Sequence, residues 1–342
     1  MRKTIYIRAD GNQKIGTGHI MRCLSIASQM RKYDVNLFFV TADRSLTTII
    51  KSKGFNTICL DSKWDDLDKE TDIFSKMIVD NRVDALLVDS YYVTPKYLQK
   101  IKKYTKVYYI DDINAFDYPV HSLINYNIYG KEMNYDMDRY NILCLGPDYA
   151  PLRDEFMGLH ERSYNGIKNI LITTGGTDKY NIIGNILHAL LKKTEFKMVN
   201  FYCVLGRYNI YVDSLKKIYE NYSNIHLLVN INNMSEYMMN CDIAITAGGS
   251  TCYELCACGT PSIIYTLADN QLKIAQTFLR EGIAPWVGDI RIDIDKCIQN
   301  IAVEIEKLKV KEYWLQKSKK MQKLVDGKGA VRISKIIVGS LY

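Results

Sequence analysis

A single histidine in a glycine-rich loop is the first feature of this chain that could do chemistry. The segment RADGNQKIGTGHIMRC places Gly16 and Gly18 just before His19, and residues with helical spacing follow. An imidazole can take a proton from water or an alcohol near neutral pH, so it suits general-base catalysis. The sequence therefore predicts that His19 is a catalytic base and that Gly16 and Gly18 line the substrate-binding loop.

Several aspartates end predicted strands and could orient this imidazole. They are Asp10, Asp89, Asp111 and Asp112. Ligands of parallel α/β sheets bind beyond the carboxyl ends of the strands, so these carboxylates are expected on the same edge as His19. We predict Asp10 as the catalytic partner of His19; an Asx turn in the loop is its structural alternative. Asp111 and Asp112 are the next candidates.

Two further side chains near these positions could contact a substrate. Arg22 follows the glycine loop and, like Arg8 before it, could neutralise a phosphate, although packing is an equal alternative for both. Tyr91 and Tyr92 follow the run LLVDS and could stack on a sugar or hydrogen-bond to it. We therefore include Arg22 and Tyr91 among the predicted substrate-binding residues.

The second half of the chain has two more glycine turns, each before a probable helix. Gly175 and Gly176 follow one apolar run, and Gly249, Ser250 and Thr251 follow another. Glycine allows the main chain to approach a ligand closely, and free N–H groups at a helix start favour anions. Together with the first loop, these turns predict an anionic ligand.

Glu254 lies three residues after Thr251 and has two interpretations. The first is a capping box, because the two residues stand in the T-x-x-E relation. The second is a carboxylate that accepts hydrogen bonds from the vicinal hydroxyls of a ribose while the helix start holds a diphosphate. Spacing alone leaves both interpretations open.

Motifs for common cofactors and metals are missing from the sequence. It contains no GxxxxGK[ST] segment and no GxGxxG followed by an acidic residue, which argues against P-loop ATP chemistry and against nicotinamide or flavin cofactors. Three Asp-x-Asp triplets, at 66–68, 136–138 and 293–295, do not follow an apolar strand and are interpreted as surface residues. We predict no cofactor and no metal.

The secondary-structure elements that must position these residues alternate between predicted strands and predicted helices. Predicted strands of the first half are TIYIR, VNLFFVT, NTICL, DALLVDS and KVYYIDD; those of the second are KNILITTGG, KMVNFYCVLG, NIHLLV, CDIAITAGG and TPSIIYTLA. Amphipathic helical stretches separate them, which is typical of parallel sheets covered on both faces. The pattern predicts two doubly wound α/β domains facing each other across a cleft, at residues 1–155 and 165–325. Residues 326–342 form a terminal helix that could return to the first domain.

The composition of the chain limits where the protein can be located and which partners it can bind. The chain has 342 residues, 47% of them hydrophobic and 24% charged, with a formal net charge of +7 and dispersed lysines. Its start is too short for a signal segment of about 7–15 apolar residues, and no run approaches the roughly 18 apolar residues of a membrane span. Nine cysteines, including the neighbours Cys252, Cys256 and Cys258, are interpreted as free buried thiols. We expect a cytoplasmic monomer with a small-molecule substrate, no nucleic acid partner and no stable membrane insertion.

Taken together, these segments resemble a known enzyme family. The chain is similar to the UDP-2,4-diacetamido-2,4,6-trideoxy-β-L-altropyranose hydrolases of pseudaminic acid biosynthesis in RADGNQKIGTGHIMRCLSIA, VDSYYV, YIDD, LCLGPDYAPLRDEF, ITTGGTD and TAGGSTCYELCACGTPSIIYTLADNQ. The first block is the most specific. The last is shared with the transferase that adds N-acetylglucosamine to the lipid-linked peptidoglycan precursor, and related sequences occur in spore-coat polysaccharide pathways, so it indicates the GT-B superfamily as much as one activity.

The resemblance implies a fold, a substrate and a reaction. It implies two Rossmann-like domains of the GT-B type, with UDP held mainly by the second domain and catalysis supplied by the first. The catalytic histidine of the family falls on His19. The family reaction releases UDP and the free diacetamido-trideoxy sugar with inversion at the anomeric carbon and without a metal.

The resemblance also implies binding roles in the second half of the chain. By motif, Gly249, Ser250 and Thr251 would meet the diphosphate, and Glu254 the ribose. The remaining positions are Asn270 and Gln271, which would face the sugar or the phosphates, and Gly175 and Gly176, which would line the floor of the cleft.

Two other functions are compatible with the same motifs. The first is a UDP-sugar-dependent GT-B glycosyltransferase of surface polysaccharide assembly, which passes the sugar to an alcohol or lipid. The second is a protein that binds a sugar nucleotide without catalysis. An intact His19 in an intact loop argues against the second, whereas the C-terminal glycine block does not separate hydrolase from transferase.

Overall fold

The chain folds into two compact units. The computed structural model describes residues 2–12, 14–206, 208–229 and 231–342. Unit 1 comprises the residues up to Arg153 together with Lys328–Tyr342, and unit 2 comprises Asp154–Gly327. Residues 156–164, which lie between the two predicted domains, thus belong to unit 2, as do Asp154 and Glu155, which the prediction placed in the first domain; residues 328–342 of the predicted terminal helix belong to unit 1.

Unit 1 is built on a parallel sheet. In the described part of the chain this sheet has seven strands in the order β3-β2-β1-β4-β5-β6-β7. The strands are β1 (Lys3–Ala9), β2 (Val35–Thr41), β3 (Asn56–Cys59), β4 (Ala85–Asp89), β5 (Lys106–Ile110), β6 (Ser122–Asn125) and β7 (Ile142–Leu145). Every residue of β4 is buried, which is why its sequence, ALLVD, is a continuous apolar run and not an alternating one.

Four helices connect the first five strands of unit 1. They are α1 (Gly18–Met30), α2 (Thr47–Ser52), α3 (Thr71–Asp80) and α4 (Pro95–Ile101). Local sequence fixes where α4 begins: Thr94 Oγ1 accepts the Tyr97 N–H at 3.0 Å, and Pro95 takes the first helical position. Phe74 of α3, Leu98 of α4 and Leu86 of β4 are fully buried members of one core cluster.

Unit 2 repeats the architecture. Within the described ranges its parallel sheet has six strands in the order β10-β9-β8-β11-β12-β13. The strands are β8 (Asn169–Thr173), β9 (Asn200–Leu205), β10 (Ile225–Val229), β11 (Ile243–Ala247), β12 (Ser262–Thr266) and β13 (Trp286–Asp289). The helices are α5 (Ile182–Leu191), α6 (Val212–Tyr219), α7 (Met234–Asn240), α8 (Thr251–Cys258), α9 (Asp269–Arg280), α10 (Ile294–Leu308) and α11 (Lys311–Leu324).

A final helix, α12 (Gly329–Gly339), packs against α1 in unit 1. Ser334 Oγ donates a hydrogen bond to the Ile26 carbonyl of α1 at 3.0 Å. A Cβ at Gly329 would lie 2.1 Å from the Ala150 carbonyl oxygen, so glycine is required where the chain enters this helix. Helix α12 therefore supports the helix whose first turn carries His19.

The predicted fold class is confirmed, since both units are Rossmann-like doubly wound α/β structures. All five strands predicted in each half are present; β6, β7 and β13, each four residues long, were not predicted. Cys252, Cys256 and Cys258 are free and fully buried, as expected. Within the residues that the structure describes, no helix is both long and apolar enough to cross a bilayer.

Each sheet has one point at which the strand order reverses. In unit 1 this point lies between the neighbours β1 and β4, and in unit 2 between β8 and β11. The connections that leave such a pair go to opposite sides, which opens a crevice at the carboxyl ends of the two strands. Both sets of predicted site residues follow these strands or the ones beside them.

Candidate functional site

His19 lies at the reversal point of unit 1 and pairs with Asp89. It is the second residue of α1 and 7% exposed, and Asp89 is the last residue of β4. His19 Nδ1 and Asp89 Oδ1 are 2.6 Å apart. A carboxylate only accepts, so in the neutral ring Nδ1 carries the proton and Nε2 keeps its lone pair. No described residue makes a hydrogen bond to Nε2, which leaves a basic nitrogen available to a substrate.

Arg22 binds the same carboxylate from the next turn of α1. Its Nε lies 2.6 Å from Asp89 Oδ2 and its Nη2 2.5 Å from Asp89 Oδ1, which is the two-pronged geometry of a strong ion pair. Burial by itself would raise the pKa of Asp89, but the charges of Arg22 and His19 outweigh it and hold that pKa well below its usual range. Asp89 is therefore a permanent anion beside the imidazole.

The predicted phosphate-binding role of Arg22 does not fit this geometry. Besides Asp89, Nη1 lies 3.0 Å from Asp112 Oδ2 and 2.8 Å from the Tyr126 hydroxyl. The guanidinium is thus surrounded by acceptors of the protein, and its side chain is 11% exposed. Arg8, the other candidate, is fully buried and pairs with Glu70 at 2.7 Å. Neither arginine has its charge free for a phosphate.

Tyr91 lies beside His19, as a predicted substrate-binding residue should. The two rings meet edge to face with centroids 4.7 Å apart. The Tyr91 hydroxyl donates to Asp112 Oδ2 at 2.8 Å. Burial and, as the second cause, the negative charge of Asp112 raise the pKa of Tyr91. Because the residue remains 38% exposed, it can both brace His19 and contact a ligand.

Asp10 is not the partner of His19, and that prediction is corrected. Asp10 accepts hydrogen bonds from Arg8 Nη1 at 2.5 Å and from the Ala42 N–H at 2.7 Å. Ala42 follows β2, on one side of β1, whereas Asp89 ends β4 on the other side. The loop after β1 thus sends Asp10 and His19 to opposite neighbours.

Gly16 and Gly18 shape the loop between β1 and α1. Gly16 has a φ of +74°, and its carbonyl accepts the Asn12 N–H at 3.1 Å. The Asx turn that was the alternative interpretation of Asp10 is made instead by Asn12, whose Oδ1 accepts the Lys14 N–H at 2.8 Å. A Cβ added at Gly18 would meet nothing within 4 Å, so the start of α1 is open on that side.

In unit 2 the predicted residues follow three neighbouring strands. Gly175 and Gly176 come after β8 and are exposed, with Gly175 at a φ of +80°. Gly206, after β9, packs against this turn: a Cβ there would lie 2.1 Å from the Gly175 carbonyl oxygen. Gly206 was not selected from the sequence, although it ends the segment KMVNFYCVLG as the other glycines end theirs.

The start of α8 offers unpaired amide groups. The N–H groups of Ser250 and Thr251 have no acceptor among the described residues, and a Cβ at Gly249 would meet nothing within 4 Å. Thr251 is the first helical residue and not the cap, and the cap residue Ser250 makes no side-chain capping bond. The capping-box interpretation of Glu254 is therefore not the geometry found; this carboxylate lies half-buried in the first turn of α8.

Asn270 and Gln271 belong to the first turn of α9, next to the α8 loop. Gln271 Oε1 accepts the Leu267 N–H at 2.9 Å, so its oxygen holds the loop after β12. A Cβ at Gly248 would lie 3.2 Å from the Gln271 carbonyl oxygen, which shows how closely the two loops approach. Asn270 is exposed beside them.

Sequence reasoning missed one aromatic residue that contacts Tyr92. Trp64 is half-buried and meets Tyr92 edge to face at 5.2 Å, with Lys14 Nζ 6.0 Å from its ring. Nothing in its local sequence singles it out, because it stands in a polar loop after β3. The Asp-x-Asp triplets have structural roles where contacts are seen: Asp293 caps α10 and Asp66 pairs with Lys69 at 2.7 Å.

Comparison with known proteins extends these observations. Residues 169–328 match the glycosyltransferase family 28 C-terminal domain. The uncharacterised protein MJ1062 of Methanocaldococcus jannaschii is 31% identical over 79% of this chain and 56% of its own length, so the chain spans little more than half of that relative. The spore coat polysaccharide biosynthesis protein SpsG of Bacillus subtilis is 25% identical over 97% of this chain and 96% of its own.

Two more comparisons concern a named hydrolase and the fold. The UDP-2,4-diacetamido-2,4,6-trideoxy-beta-L-altropyranose hydrolase of Campylobacter jejuni is 24% identical over 73% of this chain and 86% of its own. The crystal structure of MurG from Acinetobacter baumannii superposes with a TM-score of 0.73, at 14% identity, over 98% of this chain and 99% of the other. That likeness establishes the fold.

The fold of this chain is therefore of the GT-B type, and its second half matches a glycosyltransferase family domain. The resemblance of this chain to the altropyranose hydrolases and SpsG is confirmed.

Proposed function

We propose that this chain hydrolyses a UDP-linked diacetamido-trideoxy sugar to UDP and the free sugar, as a step of nonulosonic acid biosynthesis such as that of pseudaminic acid. The observation that carries the proposal is the pairing of His19 Nδ1 with the buried Asp89, which leaves Nε2 as the basic atom. The names of the Campylobacter jejuni relative and of a second, Helicobacter pylori relative supply the substrate class.

In this reaction His19 activates water. Nε2 takes one proton from the water molecule while the water oxygen bonds to the anomeric carbon from the face opposite the nucleotide. The bond between that carbon and the phosphate oxygen breaks, and its electron pair leaves with UDP, so the configuration inverts. The imidazolium is stabilised by Asp89 and then returns its proton to solvent.

The nucleotide is assigned to unit 2. The N–H groups of Ser250 and Thr251 and the positive end of α8 would receive the diphosphate, where negative charge grows as the bond breaks. Glu254 would accept hydrogen bonds from the ribose hydroxyls, and Asn270 would contact sugar or phosphate. Because amide donors can hold the leaving group, the proposal requires neither a metal ion nor a strong general acid.

The proposal is tested by UDP release without an acceptor. The parent, His19→Asn and the matched control His160→Asn, an exposed histidine of unit 2, are incubated with the UDP-sugar in EDTA. We expect prompt release by the parent and the control, and a loss of about 10²–10⁴-fold for His19→Asn, the usual contribution of a general base. UDP affinity of all three, measured by calorimetry, should agree within about twofold, because His19 is assigned to water and not to UDP.

Two results would contradict this assignment. Equal rates for His19→Asn and the parent would exclude His19 as the base. Retention of configuration, seen as the first-formed anomer in the proton NMR spectrum, would exclude direct attack by water.

A second candidate is a UDP-sugar-dependent glycosyltransferase of surface polysaccharide assembly. It is favoured by the family 28 match of residues 169–328 and by SpsG, whose name refers to spore coat polysaccharide. In that case His19 would take its proton from an acceptor hydroxyl and not from water. The same assay separates the two, because a transferase releases UDP only once an acceptor alcohol is added.

A further inference from the structure

We propose that Arg22 and Asp112 are positioning residues that fix both the orientation of the His19 imidazole and the balance of charge around it. Both act through Asp89 and Tyr91, which contact the ring, and Arg22 Nη2 also lies 3.1 Å from His19 Nδ1. The proposal deepens the function proposed above and rests on it for the role of His19 as a base.

The first arm runs from Asp112 through Arg22 to Asp89. Arg22 holds both oxygens of Asp89 and turns Nη1 toward Asp112, at 3.0 Å and 3.2 Å from its two oxygens. Exposure falls along this arm, from 12% for the Asp112 side chain to 11% for Arg22 and 0% for Asp89. An ion pair shielded from water in this way holds the carboxylate of Asp89 in one orientation toward Nδ1.

The second arm runs from Asp112 to Tyr91. Asp112 Oδ2 accepts the Tyr91 hydroxyl at 2.8 Å, and Oδ1 accepts Asn127 Nδ2 at 2.9 Å. The Tyr91 ring then lies against the imidazole, with an angle of 78° between the ring planes. One carboxylate thus anchors the contacts on two sides of His19.

The net charge of this cluster changes when the ring takes a proton. Asp89 and Asp112 supply two negative charges and Arg22 one positive charge, so the sum is −1 with a neutral imidazole and zero once His19 has taken a proton. This is the charge that the ring acquires when it acts as a base.

Other titratable groups near the ring do not alter that sum. Cys23, on α1, lies 3.6 Å from Asp89, and burial raises the pKa of its thiol. Burial also raises the pKa of Tyr91 and brings that of Tyr126, beside Arg22, to about 12. All three are neutral between pH 5 and 8.

The remaining charges next to α1 form a separate group. On β1 and in the turn before α3, Arg8 is paired with Asp10 and Glu70. No hydrogen bond or ion pair joins this group to His19 among the described residues. Arg332, on α12, donates to the Asp148 carbonyl at 2.8 Å.

Removing the charge of Arg22 and removing the charge of Asp112 should shift the midpoint of His19 protonation in opposite directions. Arg22→Gln changes the sum around a neutral ring from −1 to −2, so the ring should be half protonated at a higher pH. Asp112→Asn changes it to zero, so half protonation should come at a lower pH. A unit charge about 5 Å away in a medium of effective dielectric constant about 20 corresponds to a shift of roughly two pH units. A residue that merely held the fold together would not produce opposite signs.

The test is an NMR titration of the histidine ring signals without substrate. The chain has five histidines, and His19→Asn identifies the signal of His19. Matched controls are Arg44→Gln and Asp65→Asn, both exposed residues of unit 1, which should leave the His19 signal at its parent midpoint. The proposal is overturned if the two variants shift the midpoint in the same direction, or if neither shifts it by more than about 0.3 units.

Kinetics complete the test. We expect kcat for UDP release to fall at least tenfold in both variants with KM changed less than threefold, because neither residue is assigned to substrate. Arg22→Lys keeps the positive charge but loses the two-pronged contact with Asp89, so the His19 midpoint should match that of the parent while kcat falls. This variant replaces Arg22→Gln in the test if Arg22→Gln does not fold. Since the titration needs no turnover, opposite shifts in a chain that releases no UDP would refute the hydrolase and leave the positioning roles standing.

Discussion

Replacing Asp89 with asparagine keeps the size of the side chain and removes its charge, which makes it a direct test of the buried pair beneath His19. The aspartate is fully shielded and receives two bonds from Arg22 and one from His19. An amide offers one acceptor and one donor where the carboxylate offers two acceptors. Whichever way it turns, an N–H group of the amide faces a donor of Arg22.

The expected loss of stability follows from these contacts. Breaking a buried pair by removing one partner costs about 3–5 kcal/mol, because the other charge is left without compensation. Arg22 keeps its contact with Asp112 at 3.0 Å, and the amide oxygen keeps one hydrogen bond. We therefore expect Asp89→Asn to lower the free energy of unfolding of unit 1 by roughly 2–3 kcal/mol. The imidazolium also loses its adjacent anion, so the rate of UDP release should fall by about 10²-fold.

Urea unfolding followed by tryptophan fluorescence measures the first quantity. Of the three tryptophans, Trp64 belongs to unit 1 while Trp286 and Trp314 belong to unit 2, so the difference between the signals recorded with and without Trp64→Phe reports the unfolding of unit 1. Asp65→Asn, an exposed aspartate of unit 1, is the matched control. The reasoning is refuted if Asp89→Asn unfolds within about 0.5 kcal/mol of that control and releases UDP within threefold of it, since surface changes alone stay in that range.

The same variant makes a prediction about pH. The pKa of Asp89 is depressed in the folded state, so its stabilisation is complete above the unfolded value of about 3.9 and is lost as the pH falls below it. Asp89→Asn has no such group to titrate. The difference in stability between parent and variant should therefore be largest near pH 6 and should shrink as the pH approaches 3. A difference that grows on acidification would contradict the ionised state assigned to this carboxylate.

Three more predictions concern unit 2. Gly249→Val should leave the unfolding midpoint unchanged, because a Cβ there meets nothing within 4 Å, yet it should weaken UDP binding at least tenfold by covering the α8 amides. Gly206→Ala should instead destabilise unit 2, because its Cβ would lie 2.1 Å from the Gly175 carbonyl oxygen. Unchanged UDP affinity in Gly249→Val would exclude α8 as the diphosphate site. Glu254→Gln should raise the Kd for UDP by about 10–100-fold, the usual worth of hydrogen bonds to a charged group, while Glu312→Gln on the exposed face of α11 should not change it.

Buried parallel strands could be predicted from the sequence because their sequences are unbroken apolar runs. DALLVDS and CDIAITAGG are examples: each becomes a fully buried strand beside the reversal point of its sheet. Strands β6, β7 and β13 were not predicted: each has four residues, too few to show a period, and β13 includes a glycine. Strand β3 is equally short but was predicted, so length alone does not decide; β7 and β13 lie at the edges of their sheets, whereas β6 pairs with β5 and β7.

The candidate site could be predicted as a set of residues but not as a set of pairs. Strand ends brought His19, Asp89 and Asp112 to one edge, as the rule for parallel sheets requires. Which carboxylate meets the imidazole depends on which side of β1 the loop turns to, and that depends on the order of strands in the sheet. Asp10 is the aspartate nearest to His19 in sequence, yet it lies on the β2 side and accepts hydrogen bonds from Arg8 Nη1 and the Ala42 N–H.

The two units show how one topology can serve two chemical purposes. At the reversal point of unit 1, Asp89 and Asp112 outnumber Arg22, so that edge repels a diphosphate and favours a group that gains a proton. At the reversal point of unit 2, the turn into α8 presents the amides of Ser250 and Thr251 with no side chain at Gly249 to cover them. An edge of that kind favours an anion. Similar strand orders therefore do not predict the same ligand. The sign of the charge at each edge comes from the few residues that follow the strands, which is why we propose that the base belongs to unit 1 and the leaving group to unit 2.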